Sequence, residues 1–226
     1  HLLRGTLAHA FFEAIGRGMD AEKAKLLVME AFERIQDVPQ WQLRFKLDEF
    51  SALLDRAREW ARQSEVNQEL VGVEIPVGVR VREGVRIGGY MDRLLRDEEG
   101  NYLVVDLKTG KNQPAKKEAE DHVQLMTYQL ALAHGAFDGH QVHDGEGMPR
   151  QGGVLVYPGA TTKKIGEIWQ SDKSPEALEE FAALLPPLVE EMRGPRITAR
   201  TNKDCDKCPI RSICPVQEEG RMTTDA

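Results

Sequence analysis

The chain has 226 residues, of which 41% are hydrophobic and 30% are charged, so its composition predicts a soluble globular protein with one sizeable core. It has no run of about 18 apolar residues and no recognisable secretory signal, so no membrane association is expected. The net charge of −7 argues against a protein that holds nucleic acid by bulk positive charge. It does not exclude an enzyme that acts on nucleic acid through acidic metal ligands.

The N-terminal part of the chain has helical periodicity. Apolar stripes predict helices over three segments: 2–16, about 21–36 and about 40–64. Asp20 is a predicted N-cap for the second of these helices. Because the chain starts at His1 inside a helical pattern, residues upstream of it are expected to be missing from this sequence.

The rest of the chain alternates strands and helices. Short apolar alternation predicts a strand over 69–82, and four further strands are predicted over 85–96, 101–109, Val154–Tyr157 and about 164–169. A charged loop over 111–120 separates the third strand from a helix predicted at about 121–134, and Ser174-Pro175 starts a helix over 174–193. This order of elements predicts an α/β protein with a mixed central β-sheet flanked by helices.

Charged residues follow two of the predicted strands where their apolar runs end. Asp92 ends one run, and Asp106 and Lys108 end the next. Because side chains at i and i+2 of a strand share a face, Asp106 and Lys108 should project together, with Leu107 turned into the core. Asp92 joins them if the strands pair as a hairpin through the polar turn 97–101. Two carboxylates and an ammonium predict a divalent-metal site that can cut a phosphodiester, and the alternative is solvent-facing charges.

Five short motifs occur in an order that resembles the PD-(D/E)XK nuclease superfamily. The resemblance is closest to its RecB-like members, which are the nuclease domains of the RecB, AddB and AdnB helicases and related stand-alone exonucleases. The motifs are Gly5-Thr6-x-x-His9, Gly89-x-x-Asp92-Arg93, Asp106-x-Lys108-Thr109-Gly110, Gln124-x-x-x-Tyr128 and Cys205-x-x-Cys208-x5-Cys214. Each motif is weak alone, but the set covers about residues 4–215.

The resemblance implies a fold and a domain organisation. The expected fold is a restriction-endonuclease-like core with extra N-terminal helices and a C-terminal cysteine-containing segment. A single domain would span 1–226, with a helical insertion at 21–65 and the cysteine segment at 195–216.

The resemblance also implies roles for residues around the predicted metal site. His9, Asp92, Asp106 and the carbonyl of Leu107 would hold Mg²⁺ or Mn²⁺. Lys108 would position or deprotonate the attacking water, or stabilise the transition state, and these alternatives stay open. Without the resemblance, a helical histidine is more often a packed or surface residue than a ligand.

Gln124 and Tyr128 lie four residues apart and so share one face of a predicted helix. The resemblance implies that Gln124 orients Lys108 or the scissile region and that Tyr128 contacts DNA or supports the site. The alternative is an amphipathic helix edge with a half-buried tyrosine. Glu74, in the first strand, is either a site residue or a surface residue. The lysines at 111, 116 and 117 either contact phosphate or line a solvated loop.

The three cysteines, Cys205, Cys208 and Cys214, have the spacing of metal ligands. They are too few and too clustered for a disulfide framework, so a reducing cytoplasm is expected. The resemblance implies a [4Fe–4S] cluster in the intact protein. Such a cluster normally takes four cysteines, so the fourth would lie upstream of this sequence. Zinc with a non-cysteine fourth ligand, or three free thiols, are the alternatives.

Together these features predict a metal-dependent DNA nuclease. The resemblance implies an exonuclease that acts on single-stranded DNA or DNA ends in repair or recombination, alone or with a helicase partner or fused motor. A non-catalytic DNA-binding or interaction module of a helicase–nuclease complex, and an RNA-directed nuclease, are the alternatives.

Overall fold

The computed structural model describes residues 2–113, 115–160, 164–195 and 198–218. The chain divides into two compact units, His1–Ala183 and Leu184–Ala226. The single domain over 1–226, its helical insertion at 21–65 and its cysteine segment at 195–216 therefore remain predictions.

The first unit is built on a mixed β-sheet. Its strands are β1 (Glu69–Arg82), β2 (Val85–Arg96), β3 (Tyr102–Leu107), β4 (Gly135–Phe137), β5 (Val142–Asp144), β6 (Arg150–Tyr157) and β7 (Gly166–Gln170). In the described residues they form one seven-stranded sheet in the order β4-β5-β1-β2-β3-β6-β7. β3 is antiparallel to β2 and parallel to β6, so the predicted mixed sheet is confirmed.

Helices cover both faces of this sheet. They are α1 (Leu2–Gly16), α2 (Ala21–Arg34), α3 (Gln40–Ser64), α4 (Lys116–Glu120), α5 (Val123–Ala133) and α6 (Pro175–Ala183). Val105 and Leu107 belong to a buried cluster with residues of α1, α2 and α3. On the opposite face, Leu155 and Ile168 are buried with Leu125 of α5. Burying one such aliphatic side chain contributes about 1.5–3 kcal/mol, so this core holds the end of β3 rigidly.

The β2–β3 hairpin forms as the sequence predicts. The Asp97 carboxylate accepts a hydrogen bond from the Asn101 amide at 2.8 Å, and Gly100 closes the turn with a φ of +88° that favours glycine. The antiparallel register pairs Arg93 with Val105. One step further along both strands, Asp92 comes opposite Asp106, and the hairpin therefore brings the two carboxylates to one place.

The helices that precede the sheet are held by capping and aromatic packing. The Asp20 side chain accepts a hydrogen bond from the Lys23 amide at 2.9 Å, which confirms the predicted N-cap of α2. The rings of Phe32 and Phe50, from α2 and α3, lie 4.2 Å apart between centroids. These helices belong to the cluster that also contains Phe11 of α1, so α1 is held from two sides.

Three local predictions differ from the structure. The strands β4 and β5, of three residues each, were not predicted, because so short a run carries no detectable alternation. Residues 116–120 form the short helix α4 inside the predicted charged loop. The helix predicted over 174–193 is two helices, and the second begins at Leu185. Two prolines lie in the first turn of the second helix, and because proline has no amide hydrogen it is tolerated there but not in the interior of one continuous helix.

The second unit contains α7 (Leu185–Arg193) and two short 3₁₀ turns, Cys205–Lys207 and Arg211–Ile213. Ion pairs tie it together locally, with Arg200 Nη2 at 2.7 Å from Glu191 Oε2 and Arg211 Nη1 at 2.5 Å from Asp206 Oδ1. Across the described parts of the chain, no helix is both long enough and apolar enough to cross a membrane.

Candidate metal and active site

Asp106 and Lys108 lie at the end of β3, as the strand periodicity predicts. Lys108 Nζ is 2.6 Å from Asp106 Oδ2, and the intervening Leu107 is buried in the core. The Lys108 amide donates to the carbonyl of Val156 at 2.8 Å and extends the pairing with β6 beyond the strand. The backbone that carries both charged groups is therefore fixed on both sides.

Asp92 is held against the same backbone. Its Oδ2 atom accepts a hydrogen bond from the Leu107 amide at 2.7 Å. A carboxylate fixed by a main-chain donor keeps a defined orientation and leaves its other oxygen available. Asp92 and Asp106 therefore present two positioned carboxylates at one edge of the sheet.

His9 reaches the same place from α1. Its Nδ1 atom is 3.3 Å from Asp92 Oδ2. The hydrogen bond to Asp92 raises the pKa of His9, while burial of the imidazole lowers it. The helix therefore adds an imidazole, a ligand common to many divalent metals, to the two carboxylates.

Glu74 is a further member of the cluster, and sequence reasoning left its role undecided. Its carboxylate and ligand atoms of His9 and Asp92 all lie within 4.8 Å of one another. Glu74 has a φ of +47°, which is unusual for a non-glycine residue and costs about 1–3 kcal/mol. Val73 and Ile75 pair normally with β2 on either side of it, so the flanking ladder holds this conformation. No sequence pattern predicts such a backbone.

Gln124 and Tyr128 connect α5 to the site. Gln124 Oε1 accepts a hydrogen bond from Lys108 Nζ at 2.7 Å, while Gln124 Nε2 donates to Asp106 Oδ1 at 2.5 Å. The same nitrogen is 3.1 Å from the Tyr128 hydroxyl, which donates to the Tyr90 carbonyl at 2.6 Å. The two residues share a helical face, as predicted, and the amide of Gln124 links the ammonium to the carboxylate.

Asp106 is the most strongly perturbed of these groups. Its burial, and next the charge of Asp92, raise its pKa to about 6, although Lys108 and His9 lower it. Among the residues that the structure describes, none donates a hydrogen bond of good geometry to Oδ2, even though Lys108 Nζ lies nearby. This buried oxygen therefore has the Lys108 ion pair but no well-aligned hydrogen bond.

These observations test whether the residues fit a divalent metal. The imidazole of His9 and the carboxylates of Glu74 and Asp92 form a group of nitrogen and oxygen donors of the kind that Mg²⁺ or Mn²⁺ accepts, and the Asp106 carboxylate interacts electrostatically with Asp92 and His9 without belonging to that group. Burial, and next the charge of Asp92, raise the pKa of Asp106, and a nearby cation would offset both effects. The residues therefore fit such an ion.

Arg93, next to Asp92, holds α1 against the sheet. Its guanidinium carbon lies 4.9 Å from the centroid of the Phe12 ring, and it forms an ion pair with Glu65 after α3. Arg93 is only 1% exposed. The sequence marked it only as part of the Asp-Arg pair, whereas the structure gives it a part in placing His9 relative to Asp92.

The lysines after β3 have different surroundings. Lys111 forms an ion pair with Glu49 of α3, and Glu49 also lies 3.9 Å from Arg4. Lys117 is exposed, while the side chain of Lys116 lies outside the described residues. Contact between this loop and phosphate stays a prediction.

Cys205, Cys208 and Cys214 are free thiols, each partly buried, in the second unit. The amide of Asn202 donates to Cys205 Sγ at 3.1 Å, an interaction also common beside metal-bound thiolates. Three thiolates are one fewer than a [4Fe–4S] cluster takes, so this sequence does not complete such a cluster by itself.

The sequence was compared with models of known protein families, with curated proteins and with solved structures, and one family model matches it. The model of the PD-(D/E)XK nuclease superfamily matches residues 1–215. A comparison with curated proteins gave no match. A solved structure described as "Crystal structure of SSO0001" is 19% identical to this chain, with a TM-score of 0.37. The match covers 78% of this chain and 73% of the other chain. A likeness this weak does not extend to function. Because the family model covers nearly the whole chain, this protein belongs to the PD-(D/E)XK nuclease superfamily.

Proposed function

We propose that this protein is a Mg²⁺- or Mn²⁺-dependent deoxyribonuclease of the RecB-like type, an exonuclease that hydrolyses phosphodiester bonds in single-stranded DNA or at DNA ends. The observation that carries the proposal is the pairing of His9 with Asp92 and of Lys108 with Asp106, with Asp92 hydrogen-bonded to the backbone amide that lies between the two charged residues of β3. Membership of the superfamily supports the nuclease chemistry.

In this proposal the carboxylates and the imidazole act as ligands. The cation would be held by His9, Asp92, Asp106 and the Leu107 carbonyl. Glu74 would be a further ligand, because its carboxylate lies within 4.8 Å of ligand atoms of His9 and Asp92. When bound, the cation lowers the pKa of a water molecule and neutralises charge that develops on the phosphate.

Lys108 contributes a positive charge beside the scissile phosphate. Its ammonium lies between two acceptors, Asp106 Oδ2 at 2.6 Å and Gln124 Oε1 at 2.7 Å. A fixed ammonium suits stabilisation of the transition state better than removal of a proton from water. Gln124 hydrogen-bonds to both Lys108 and Asp106 and so keeps the two side chains in fixed positions. The Tyr128 hydroxyl, which accepts from Gln124, holds Gln124 in place.

Several finer features of the proposal rest on the RecB-like motif order. We place the activity in DNA repair or recombination, in the cytoplasm, with a helicase as the partner or as a fused motor. The cysteine segment would take part in an iron–sulfur cluster if a fourth cysteine is supplied from outside this sequence. No part of the proposed reaction depends on that cluster. ATP-dependent unwinding in material that co-purifies with the tagged protein would test the helicase association.

The nuclease activity is tested with end-labelled DNA, single-stranded and double-stranded, in Mg²⁺ or Mn²⁺ and in EDTA. We expect metal-dependent degradation by the wild type, none by Asp106→Ala, and normal activity in Glu180→Gln, which removes one exposed carboxylate from α6. Circular single-stranded DNA should resist an exonuclease. Degradation of the circle would contradict the exonuclease assignment without affecting that of nuclease.

Two further results distinguish the alternatives. Cleavage of RNA in preference to DNA of the same sequence would indicate an RNA-directed nuclease. Binding of DNA without metal-dependent cleavage, in folded wild-type protein, would indicate a binding module that retains the site residues without the reaction.

A further inference from the structure

A cavity lies next to the candidate metal site and shares one proposed ligand, Glu74, with it. Its walls include Glu13 and Arg17 of α1, Glu74 of β1, Tyr90 of β2, and Phe137 and His140 around the end of β4. Glu13 and Glu74 also line the depression that contains His9 and Asp92. The cavity and the metal site are therefore continuous.

Tyr90 contributes an aromatic ring to the lining of this cavity. It lies two residues before Asp92 on β2, with the buried Met91 between them, so the Tyr90 and Asp92 side chains point to the same face. The side chain of Tyr90 is 60% exposed. Among the described residues, the contact that Tyr90 makes with the site is through its backbone carbonyl, which accepts the hydrogen bond from Tyr128. The ring of Tyr90 is therefore available to a ligand.

The charges of the cavity indicate which part of a ligand it accepts. Glu13 and Glu74 are carboxylates, and Arg17 Nε is engaged by Glu13 Oε1 at 2.8 Å. Arg17 is therefore already paired with Glu13, so its guanidinium does not need a phosphate of the sugar–phosphate backbone as a partner. An uncharged planar base can stack on an aromatic ring without any such charge.

We propose that this cavity binds the base of an unpaired nucleotide, next to the phosphate that the His9–Asp92 site holds. The inference deepens the proposed function and rests on it, since it assigns the strand in the site as single-stranded. A base inside a duplex is stacked on both faces and paired at its edge, so it must leave the helix before it reaches the ring of Tyr90. Tyr90 and Phe137 then determine a preference for single strands.

The test uses a short fluorescein-labelled single-stranded oligonucleotide and a series in which one nucleotide at a time is abasic. Binding is measured by anisotropy in Ca²⁺, with a gel to verify that the DNA is intact. The variants are Tyr90→Ala, which removes the ring, and Tyr90→Phe, which keeps it.

We expect Tyr90→Ala to weaken binding of the intact oligonucleotide about tenfold, while Tyr90→Phe binds within about twofold of the wild type. One abasic position should weaken wild-type binding by a similar factor and cause no further loss in Tyr90→Ala, because both changes remove the same contact. The proposal is overturned if Tyr90→Ala binds like the wild type, or if its loss adds to that of every abasic position.

Cleavage of the same oligonucleotides in Mg²⁺ separates this inference from the proposed function. If the wild type cleaves them but Tyr90→Ala binds the intact oligonucleotide as tightly as the wild type does, the nuclease assignment stands and the base-binding cavity is wrong. If the binding pattern appears without cleavage, the base-binding cavity stands and the nuclease assignment is wrong.

Discussion

The Leu107 amide donates a hydrogen bond to Asp92 Oδ2 at 2.7 Å, so the carboxylate of β2 is anchored on the backbone between the two charged residues of β3. Because of this hydrogen bond, the position of the Asp92 carboxylate depends on how β2 and β3 pair. Any change that shifts the register of the hairpin also moves a proposed metal ligand.

Substitutions of Asp92 should separate this anchoring from metal binding. Asp92→Asn retains an oxygen that can accept from the Leu107 amide, whereas Asp92→Ala leaves that amide without a partner. Both variants should lose metal-dependent cleavage, but only Asp92→Ala should lose about 1 kcal/mol of unfolding free energy without metal. Chemical denaturation in EDTA measures the difference. Equal stability of the two variants would contradict the anchoring role.

Neutralising Asp106 should stabilise the metal-free protein. Its pKa is raised to about 6 by burial and by Asp92, above the ordinary value of 3.8. The ionised carboxylate therefore destabilises the folded state above about pH 6, and this penalty is relieved as the pH falls toward about 4. Asp106→Asn should raise the unfolding free energy in EDTA at about pH 8, by on the order of 1–3 kcal/mol.

Thermal denaturation of wild type and Asp106→Asn, with and without Mg²⁺, measures this effect. The ion should raise the Tm of the wild type, because it binds only the folded state, and should leave that of the variant nearly unchanged. A lower Tm for metal-free Asp106→Asn than for the wild type would argue that the Lys108 ion pair outweighs the burial penalty.

Lys108 should act on the reaction and not on metal binding. Lys108→Met removes the ammonium beside Asp106 and should reduce kcat by roughly 10²–10³-fold if that charge stabilises the transition state. The Tm increase caused by Mg²⁺ should persist. Lys108→Arg, which keeps the charge in a different shape, serves as the matched variant and should retain part of the activity. Wild-type cleavage by Lys108→Met would remove Lys108 from the reaction.

Two substitutions of Glu74 should separate backbone strain from metal binding. Glu74 has a φ of +47°, a conformation that glycine adopts without steric cost and alanine does not. Glu74→Gly should therefore be more stable than Glu74→Ala by about 1 kcal/mol. Both lack the carboxylate, so both should bind Mg²⁺ more weakly than the wild type by a similar factor. Undiminished Mg²⁺ affinity in the two variants would show that Glu74 is not a ligand.

Metal affinity should fall in acid. The hydrogen bond to Asp92 raises the pKa of His9, and burial raises that of Asp106 to about 6. Both groups must lose a proton before they bind a metal, so protons compete more strongly as the pH falls through about 6. The apparent affinity should drop by about tenfold per pH unit for each group protonated. Calorimetric titration with Mn²⁺ at about pH 5.5, 6.5 and 7.5 measures this, and a flat profile would contradict the ligand assignment.

The sequence predicted those parts of the fold that depend on local periodicity. The alternation in β1 and the apolar run of β3 are clear in the sequence, and the predicted boundaries of β1, β2, β3 and α1 agree with the structure to within a few residues. Two-residue spacing placed Asp106 beside Lys108, and four-residue spacing placed Gln124 beside Tyr128. The short strands β4 and β5 and the break before α7 carried weaker local signals.

The order of motifs and the spacing within strands and helices determined the family and most of the proposed site from the sequence alone. Only the tertiary structure brought Glu74 to His9 and Asp92, paired Lys111 with Glu49, and opened a cavity beside Tyr90. Those relationships join residues distant in the chain through strand register, a left-handed backbone and helix packing. Local spacing cannot specify such contacts, because each depends on how separate elements pack together.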